Sequence, residues 1–544
     1  MTLIVAAAVL FLITTFVSAQ GSWKVVGNTG VTAMHAVLIA PNRVLIIDKA
    51  ESSPNATLPD GSTGWSCEYH LDTNTFRVLR LTTNTFCSAG AFLGNGTFMS
   101  NGGSDAVLQN GINAQTGFTG IRLFQPCQDD TCTWTELPQP LSSFRWYNAM
   151  LTLPDGRTLD IGGSKVPTGA NSAAKNNPTY EIYSNSGTSS AFPIQFLVDT
   201  LPYNLYPCVT VIPDGYYQGY LFIFANTKSV VYDINQNQVI KALPDIPGVP
   251  RSYPLTGSCA LLPLTYENNY NPEMIICGGQ AVQSSTSPAD NTCGRLNLGE
   301  QEPAWDMDDF GGQGRIMGDS VALPDGTMVF VNGAATGIAG YFEGARYLQS
   351  DPVLFPVAYN MNAPKGQRWT RYAATDIPRM YHSVAMLIPD GTIWVAGSNP
   401  NPEPRPANVQ FITEYRAEVF TPPYIDPSKP RMTITSFNSS TINTAPINVK
   451  YGAGYQVTFT VAGGAQPGAV TATLIHTGFK THSQAMSMRC VKLFVDKVTA
   501  NTDGSYTTNV WMPPNAFVVP PGPQYVFLLS DGQPATSAVH VLIG

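Results

Sequence analysis

The sequence predicts an all-β protein: a seven-bladed β-propeller followed by a C-terminal immunoglobulin-like β-sandwich. Two patterns carry this reading. A phrase of roughly a dozen residues (apolar run, Pro-Asp-Gly turn, apolar run, Gly-Gly) returns through residues 20–424. It stops at a proline-rich seam, beyond which residues 425–544 read as short alternating strands.

Residues 1–19 are apolar and end in small residues, which predicts a secretory signal cleaved near Val17-Ser18-Ala19. Nothing basic flanks the stretch, which argues against a membrane anchor. No other apolar run approaches the ~20 residues needed to span a bilayer. The repeated phrase is clearest at Leu153-Pro154-Asp155-Gly156, closed by Gly162-Gly163. It returns at Ile212-Pro213-Asp214-Gly215, Leu323-Pro324-Asp325-Gly326 and Ile388-Pro389-Asp390-Gly391. Weaker copies lie at Pro41-Asn42, at Gly94-Asn95-Gly96, and between Leu261 and Gly279, which makes seven. Asp-Gly between apolar runs is a hairpin signal. A spacing of about 50 to 65 residues with a closing glycine pair is the mark of kelch-type blades. The seam is Thr421-Pro422-Pro423-Tyr424 and Asp426-Pro427-Ser428-Lys429-Pro430. After it, Tyr455 to Ala462, Ala469 to Leu474 and Gln524 to Ser530 read as sandwich strands.

Composition agrees with a turn-rich β protein: 48 glycines, 43 prolines and only 12% charged residues. A net charge of −8 and the lack of a basic run exclude nucleic acid as a partner. In a secreted chain, nine cysteines imply disulfides with one thiol left over. Cys127 with Cys132, and Cys277 with Cys293, are spaced to close loops; the other pairings stay open. Sequons begin at Asn55, Asn95 and Asn438.

The chemistry falls at one offset within the repeat. The first strand of a blade lines the propeller axis, so equivalent positions of successive repeats face one another. Eight residues before each turn Asp or Asn stand Met34, Cys87, Tyr147, Tyr206, Met317 and His382, with Tyr381 beside the last. A bland axis would carry small apolar groups, whereas here a thiol, phenols and an imidazole converge. Imidazole with phenolate suits Cu(II) in a tetragonal N,O site. Structural zinc prefers closely spaced Cys and His, which the chain lacks. His482 lies beyond the propeller, in a segment from Thr477 that reads as a long hairpin able to enter the central opening. His476 is its competitor.

At these residues the chain resembles the radical-copper oxidases, the family of galactose oxidase and glyoxal oxidase. The resemblance rests on Phe86-Cys87-Ser88-Ala89-Gly90, Arg145-Trp146-Tyr147, Arg379-Met380-Tyr381-His382-Ser383 and Lys480-Thr481-His482-Ser483. It implies one copper ion and a Cys87–Tyr147 thioether that holds a radical. Tyr147, His382 and His482 would then be equatorial ligands, and Tyr381 an axial phenolate that takes the substrate proton. The Thr-His-Ser match favours His482 over His476, and the cross-link gives the leftover thiol a role.

The start of the propeller just after the signal, and Lys165 where galactose oxidase carries a tryptophan after Gly-Gly-Ser, point to the glyoxal oxidase branch. Asn291-Thr292-Cys293-Gly294-Arg295 and Gly314-Arg315-Ile316-Met317-Gly318-Asp319 extend that likeness. Trp146 is the candidate shield of the cross-link. Arg295 and Arg315 are candidates for binding a polar substrate through their planar forks, or equally for blade-to-blade ion pairs. The implied activity is oxidation of small aldehydes, as hydrates, to carboxylic acids with O2 reduced to H2O2. The alternatives are a primary-alcohol oxidase with the same centre and a non-catalytic carbohydrate- or protein-binding propeller. The expected partners are an aldehyde or alcohol, O2 and peroxide-consuming peroxidases, around a secreted monomer.

Overall fold

The computed structural model describes residues 20–544 except 51–55, 110, 185–186, 342–346 and 443–444. The signal reading at 1–19 and the sequon at Asn55 lie outside the described residues.

Seven antiparallel sheets follow one another around an axis. Their innermost strands are His35–Ala40, Ala89–Phe92, Ala149–Thr152, Cys208–Val211, Gly257–Leu261, Asp319–Ala322 and Ser383–Leu387, every one almost wholly buried. In the repeat turns the Asp or Asn side chain accepts from the backbone N–H two residues on, at 3.0 Å for Asn95, 3.1 Å for Asp155, 2.9 Å for Asp325 and 2.8 Å for Asp390. The next residue is glycine at φ 89°, 83°, 88° and 88°, a left-handed conformation that costs other residues more. Blade five departs from this because a longer connection, containing a short helical turn at Tyr266–Asn268, joins its first two strands. That is why its phrase is weak in the sequence.

The ring closes on the N-terminal segment. Strand Ser22–Asn28 pairs with Arg416–Thr421, with Trp23 opposite Phe420, and becomes the outer strand of blade seven. The sandwich strands begin at Met432–Phe437, after the proline-rich seam. From strand Val470–His476 the chain runs into a hairpin, Phe479–Thr481 and Gln484–Met486. The hairpin adds to the inner edge of blade one, with His35 opposite Thr481 and Ala36 opposite Lys480. The second domain thus reaches the propeller axis, as the sequence reading anticipated. Lys480 anchors the hairpin by donating to the Ser320 carbonyl at 2.8 Å.

Both arginines read as substrate candidates are occupied in the scaffold. Arg315 is fully buried and donates to the carbonyl of Asn332 at 2.9 Å. This is a recurring clamp: a buried guanidinium donates to the residue that opens the closing glycine pair. Arg122 does so to Gly102 at 2.8 Å, Arg145 to Gly162 at 2.9 Å, Arg251 to Gly278 at 2.5 Å, and Arg379 to Gly397. Arg295 sits on the third strand of blade five, paired with Glu273 and donating to the Met361 carbonyl of blade six at 2.9 Å. Neither faces the axis.

Disulfides join Cys127–Cys132, Cys277–Cys293 and Cys208–Cys259, the last stitching the inner strands of blades four and five. Three thiols remain, not one. Cys67 and Cys490 are buried at separate places, donating to the Thr29 and Leu323 carbonyls, so neither meets a sulfur partner.

Candidate metal centre

The offset of eight has a backbone cause. Cys87, Tyr147, Tyr206, Met317 and His382 all hold left-handed φ, at 57°, 58°, 48°, 56° and 60°. Each stands one or two residues before an innermost strand. Such φ values are rare for bulky side chains and cluster where surrounding structure over-determines them. Here neighbouring blades supply the constraint. The Tyr147 N–H donates to the Cys87 carbonyl at 3.0 Å, Tyr206 to Tyr147 at 2.8 Å, and Met317 to Thr256 at 3.1 Å. Thr256 is therefore the blade-five member, which the missing turn had hidden. His482 takes the same conformation, φ 46°, at the tip of the hairpin.

These backbones bring Cys87, Tyr147, Tyr381, His382 and His482 into one buried cluster, each 0 or 1% exposed. The Tyr147 and Tyr381 hydroxyls meet at 2.6 Å. Cys87 Sγ lies 3.5 Å from His482 Nε2. One donor atom each from Cys87, His382 and His482 falls within 4.8 Å of the others. Tyr381 stacks on His382 with centroids 3.8 Å apart, and the two imidazoles cross at 82°, 4.7 Å apart. His476, the competitor, packs edge-on against Phe92 outside the cluster.

The electrostatics suit a cation. Burial pushes the Cys87 thiol and the Tyr147 and Tyr381 phenols well above their ordinary ranges. It holds His382 and His482 well below theirs, so both imidazoles are neutral and a ring nitrogen of each could bind a metal. No hydrogen bond of normal geometry reaches either ring nitrogen of His382, although both are buried and the Asn399 backbone lies close to the ring. A buried polar atom left unpaired is costly. A metal ion held by His382, His482, Tyr147 and Tyr381 would satisfy it and favour the phenolates, and two imidazoles with two phenols make an N,O set that suits copper. A second acidic cluster, Glu68, His70 and Asp130, is already filled by Arg43, which lies 2.6 Å from both carboxylates.

A cavity of about 590 Å³ opens over Tyr147 and Tyr381. Its walls include Phe86, Trp146, Tyr253, Gln283, Ser284 and Tyr341. Tyr253 lies over the Tyr147 ring, centroids 4.0 Å apart and planes 30° apart. Trp146 is equally near but meets Tyr147 at 60°, edge towards face. The ring that covers Tyr147 is therefore Tyr253, from the loop before blade five. It was missed because that blade carries no turn anchor. His35, whose Nδ1 lies 2.6 Å from Thr481 Oγ1, was also missed, although Met34 beside it lies on the offset.

The family model described as glyoxal oxidase N-terminus matches residues 34–424, and that of the galactose oxidase-like early set domain matches 433–541. The chain belongs to the glyoxal oxidase family. Aldehyde oxidase GLOX of Vitis pseudoreticulata is 34% identical over 95% of this chain and 96% of its own. Aldehyde oxidase GLOX1 of Arabidopsis thaliana is 32% identical over 95% of this chain and 83% of its own. A solved fungal alcohol oxidase of the AA5 family, in complex with copper, shares the fold at a TM-score of 0.67 and 19% identity, over 96% of this chain and 99% of that one. Membership of the glyoxal oxidase family makes this chain a copper-dependent oxidase.

Proposed function

We propose that the protein is a secreted copper-radical oxidase that converts small aldehydes, as their hydrates, to carboxylic acids. The carrying observation is the fully buried His382, neither nitrogen in a hydrogen bond of normal geometry, among Tyr147, Tyr381, Cys87 and His482. Tyr147, Tyr381, His382 and His482 hold copper. Cys87 and Tyr147 form the thioether: a bond from Sγ to a ring carbon replaces one S–H and one C–H, and O2 takes the two hydrogens.

Copper supplies a one-electron couple and a Lewis-acidic position for the substrate oxygen. The chain's own groups do the rest. The aldehyde hydrate enters the cavity lined by Phe86, Tyr253 and Tyr341. Tyr381 takes the hydroxyl proton at its phenolic oxygen. The Tyr147–Cys87 unit takes the carbon-bound hydrogen, and Tyr253 shields its ring from water. In the balance the hydrate loses two hydrogens to become the acid, and O2 gains them as H2O2.

Three disulfides support an oxidising compartment, and no described helix is long and apolar enough to cross a membrane. Asn95 and Asn438 are exposed and accept glycans, and peroxidases outside the cell consume the peroxide. The enzyme works as a monomer.

The test is metal removal, Cu(II) reloading and H2O2 assays on methylglyoxal, glyoxylate, galactose and aryl alcohols, with EPR of the oxidised protein. Aldehyde turnover above alcohol turnover, lost on metal removal, is expected. Faster alcohol turnover transfers the site to primary alcohols. A chain that binds no copper and yields no tyrosyl radical is a binding propeller.

A further inference from the structure

We propose that His35 and Thr481 form a relay that fixes the tautomer of His482, holding its proton on Nδ1 and leaving Nε2 free to face the metal. The inference rests on the copper reading above and adds two positioning residues to it. His35 belongs to the first strand of blade one, and Thr481 lies directly opposite it on the hairpin.

The hydrogen-bond chain has only one consistent direction. At its far end stands the Thr85 carbonyl, 3.3 Å from His35 Nε2. A carbonyl can only accept, so Nε2 carries the proton of His35. The His35 ring is fully buried and its two nitrogens meet only a hydroxyl and a carbonyl, with no carboxylate to balance a second proton, so the ring is neutral. Its Nδ1 is then an acceptor. Thr481 Oγ1 stands 2.6 Å from that Nδ1 and must donate to it. The same oxygen stands 2.6 Å from His482 Nδ1. Its single proton is already committed, so it accepts from His482, whose proton is therefore on Nδ1. Nε2 is left with its lone pair on the side of Cys87 Sγ, 3.5 Å away.

The opposite tautomer would place an N–H where the metal sits and leave Thr481 without a partner on one side. The relay also orients the rings. Phe479 stacks on His35 with centroids 5.4 Å apart, and the strand pairing holds Thr481 in register. Groups that grip the outer nitrogen of a ligating imidazole set its orientation and basicity, and their loss typically costs 10–100-fold in metal affinity. The centre is thereby tied to blade one, the blade that pairs with the hairpin of the second domain.

The test uses the full chain, stripped of metal and titrated with Cu(II) against a competing chelator, together with pulsed EPR of the remote imidazole nitrogens. Thr481→Val keeps the shape but removes the hydroxyl, and should weaken Cu(II) binding about 10–100-fold. It should also change the coupling of one remote nitrogen. Thr481→Ser restores both. His35→Phe should match Thr481→Val, whereas His35→Asn, whose amide oxygen accepts from Thr481, should bind within a few-fold of wild type.

Near-UV circular dichroism identifies variants that fold. If Thr481→Val does not, the His35→Phe and His35→Asn pair reads the same relay. Wild-type affinity and unchanged remote-nitrogen coupling in folded Thr481→Val or His35→Phe overturn the relay alone. A wild type that takes up no Cu(II) overturns the reading of the centre, and the relay with it.

Discussion

Arg145 is the perturbation that most directly links the scaffold to the centre, because it precedes Tyr147 by two residues. Its guanidinium is fully buried and donates to Glu181 at 2.7 and 3.0 Å. It also donates to the Gly162 carbonyl at 2.9 Å, the Thr179 carbonyl at 3.0 Å and the Thr179 hydroxyl at 2.9 Å. Arg145→Met removes all of these and strands the fully buried Glu181 carboxylate. Breaking one side of a buried pair costs about 3–5 kcal/mol. On a propeller of roughly 400 residues, about 4 kcal/mol lowers the melting midpoint by about 5 °C. Adding Glu181→Gln removes the stranded charge and keeps one acceptor oxygen for the Ser142 N–H, while its amide NH2 donates to the Ser143 hydroxyl, which can turn to accept. The double variant should recover about 2 kcal/mol, since the Gly162 and Thr179 carbonyls still lack their donor. Thermal melts by circular dichroism, with H2O2 release on methylglyoxal, read both stability and the Tyr147 turn. A midpoint shift under 1 °C for the single variant, with full activity, would refute the clamp as the support of that turn.

Three further outcomes follow from the same geometry. Cys87→Ser should abolish the cross-linked peptide, which in wild type is two hydrogens lighter than its parts, and with it the radical EPR signal. Tyr253→Ala should shorten the lifetime of the oxidised radical more than Trp146→Ala does, because Tyr253 lies over the ring; the reverse order in optical decay would return the shield to Trp146. Acid should expose His476, which burial holds near pKa 4 against 6.5 in the unfolded chain. Above pH 6.5 both states are neutral and the stability is intact. Below that the unfolded chain takes a proton the folded one refuses, so stability falls until about pH 4. His476→Gln should therefore lose about 2–3 kcal/mol less than wild type between pH 6.5 and 4.5, by urea unfolding at each pH.

Much of this architecture was legible because its punctuation is local. The turn needs the Asp or Asn side chain and the left-handed glycine at fixed positions, so blades two, three, six and seven carry the full anchor and blades one and four an Asn or Asp at the same place, and the count back to the axis is set by strand length. Where the chain replaced that turn with a longer connection, in blade five, the count failed, and Thr256 and Tyr253 went unseen with it. His35 escaped for a different reason. It lies one residue past the offset, on the strand itself, and acquires its role only when Thr481, 446 residues away, pairs with it. No local signal records such a partner.

The arginines show how a repeat can be misread when only its rarest members are followed. Arg315 looked like a substrate group because guanidinium forks bind carboxylates, yet the sequence carries the counter-evidence. Arg145 and Gly162, Arg315 and Asn332, Arg379 and Gly397 are each 17 or 18 residues apart. A spacing shared by blades that bear a phenol, a methionine and an imidazole cannot encode one substrate. It encodes a need of the scaffold in these blades, a buried donor for the carbonyl that opens the closing pair. The left-handed turns that hold the reactive side chains stand beside these clamps. The residues that vary at the turn, Tyr147 in one blade, Met317 in the next and His382 in another, are then free to carry chemistry. Function in this chain is written where the repeat stops repeating.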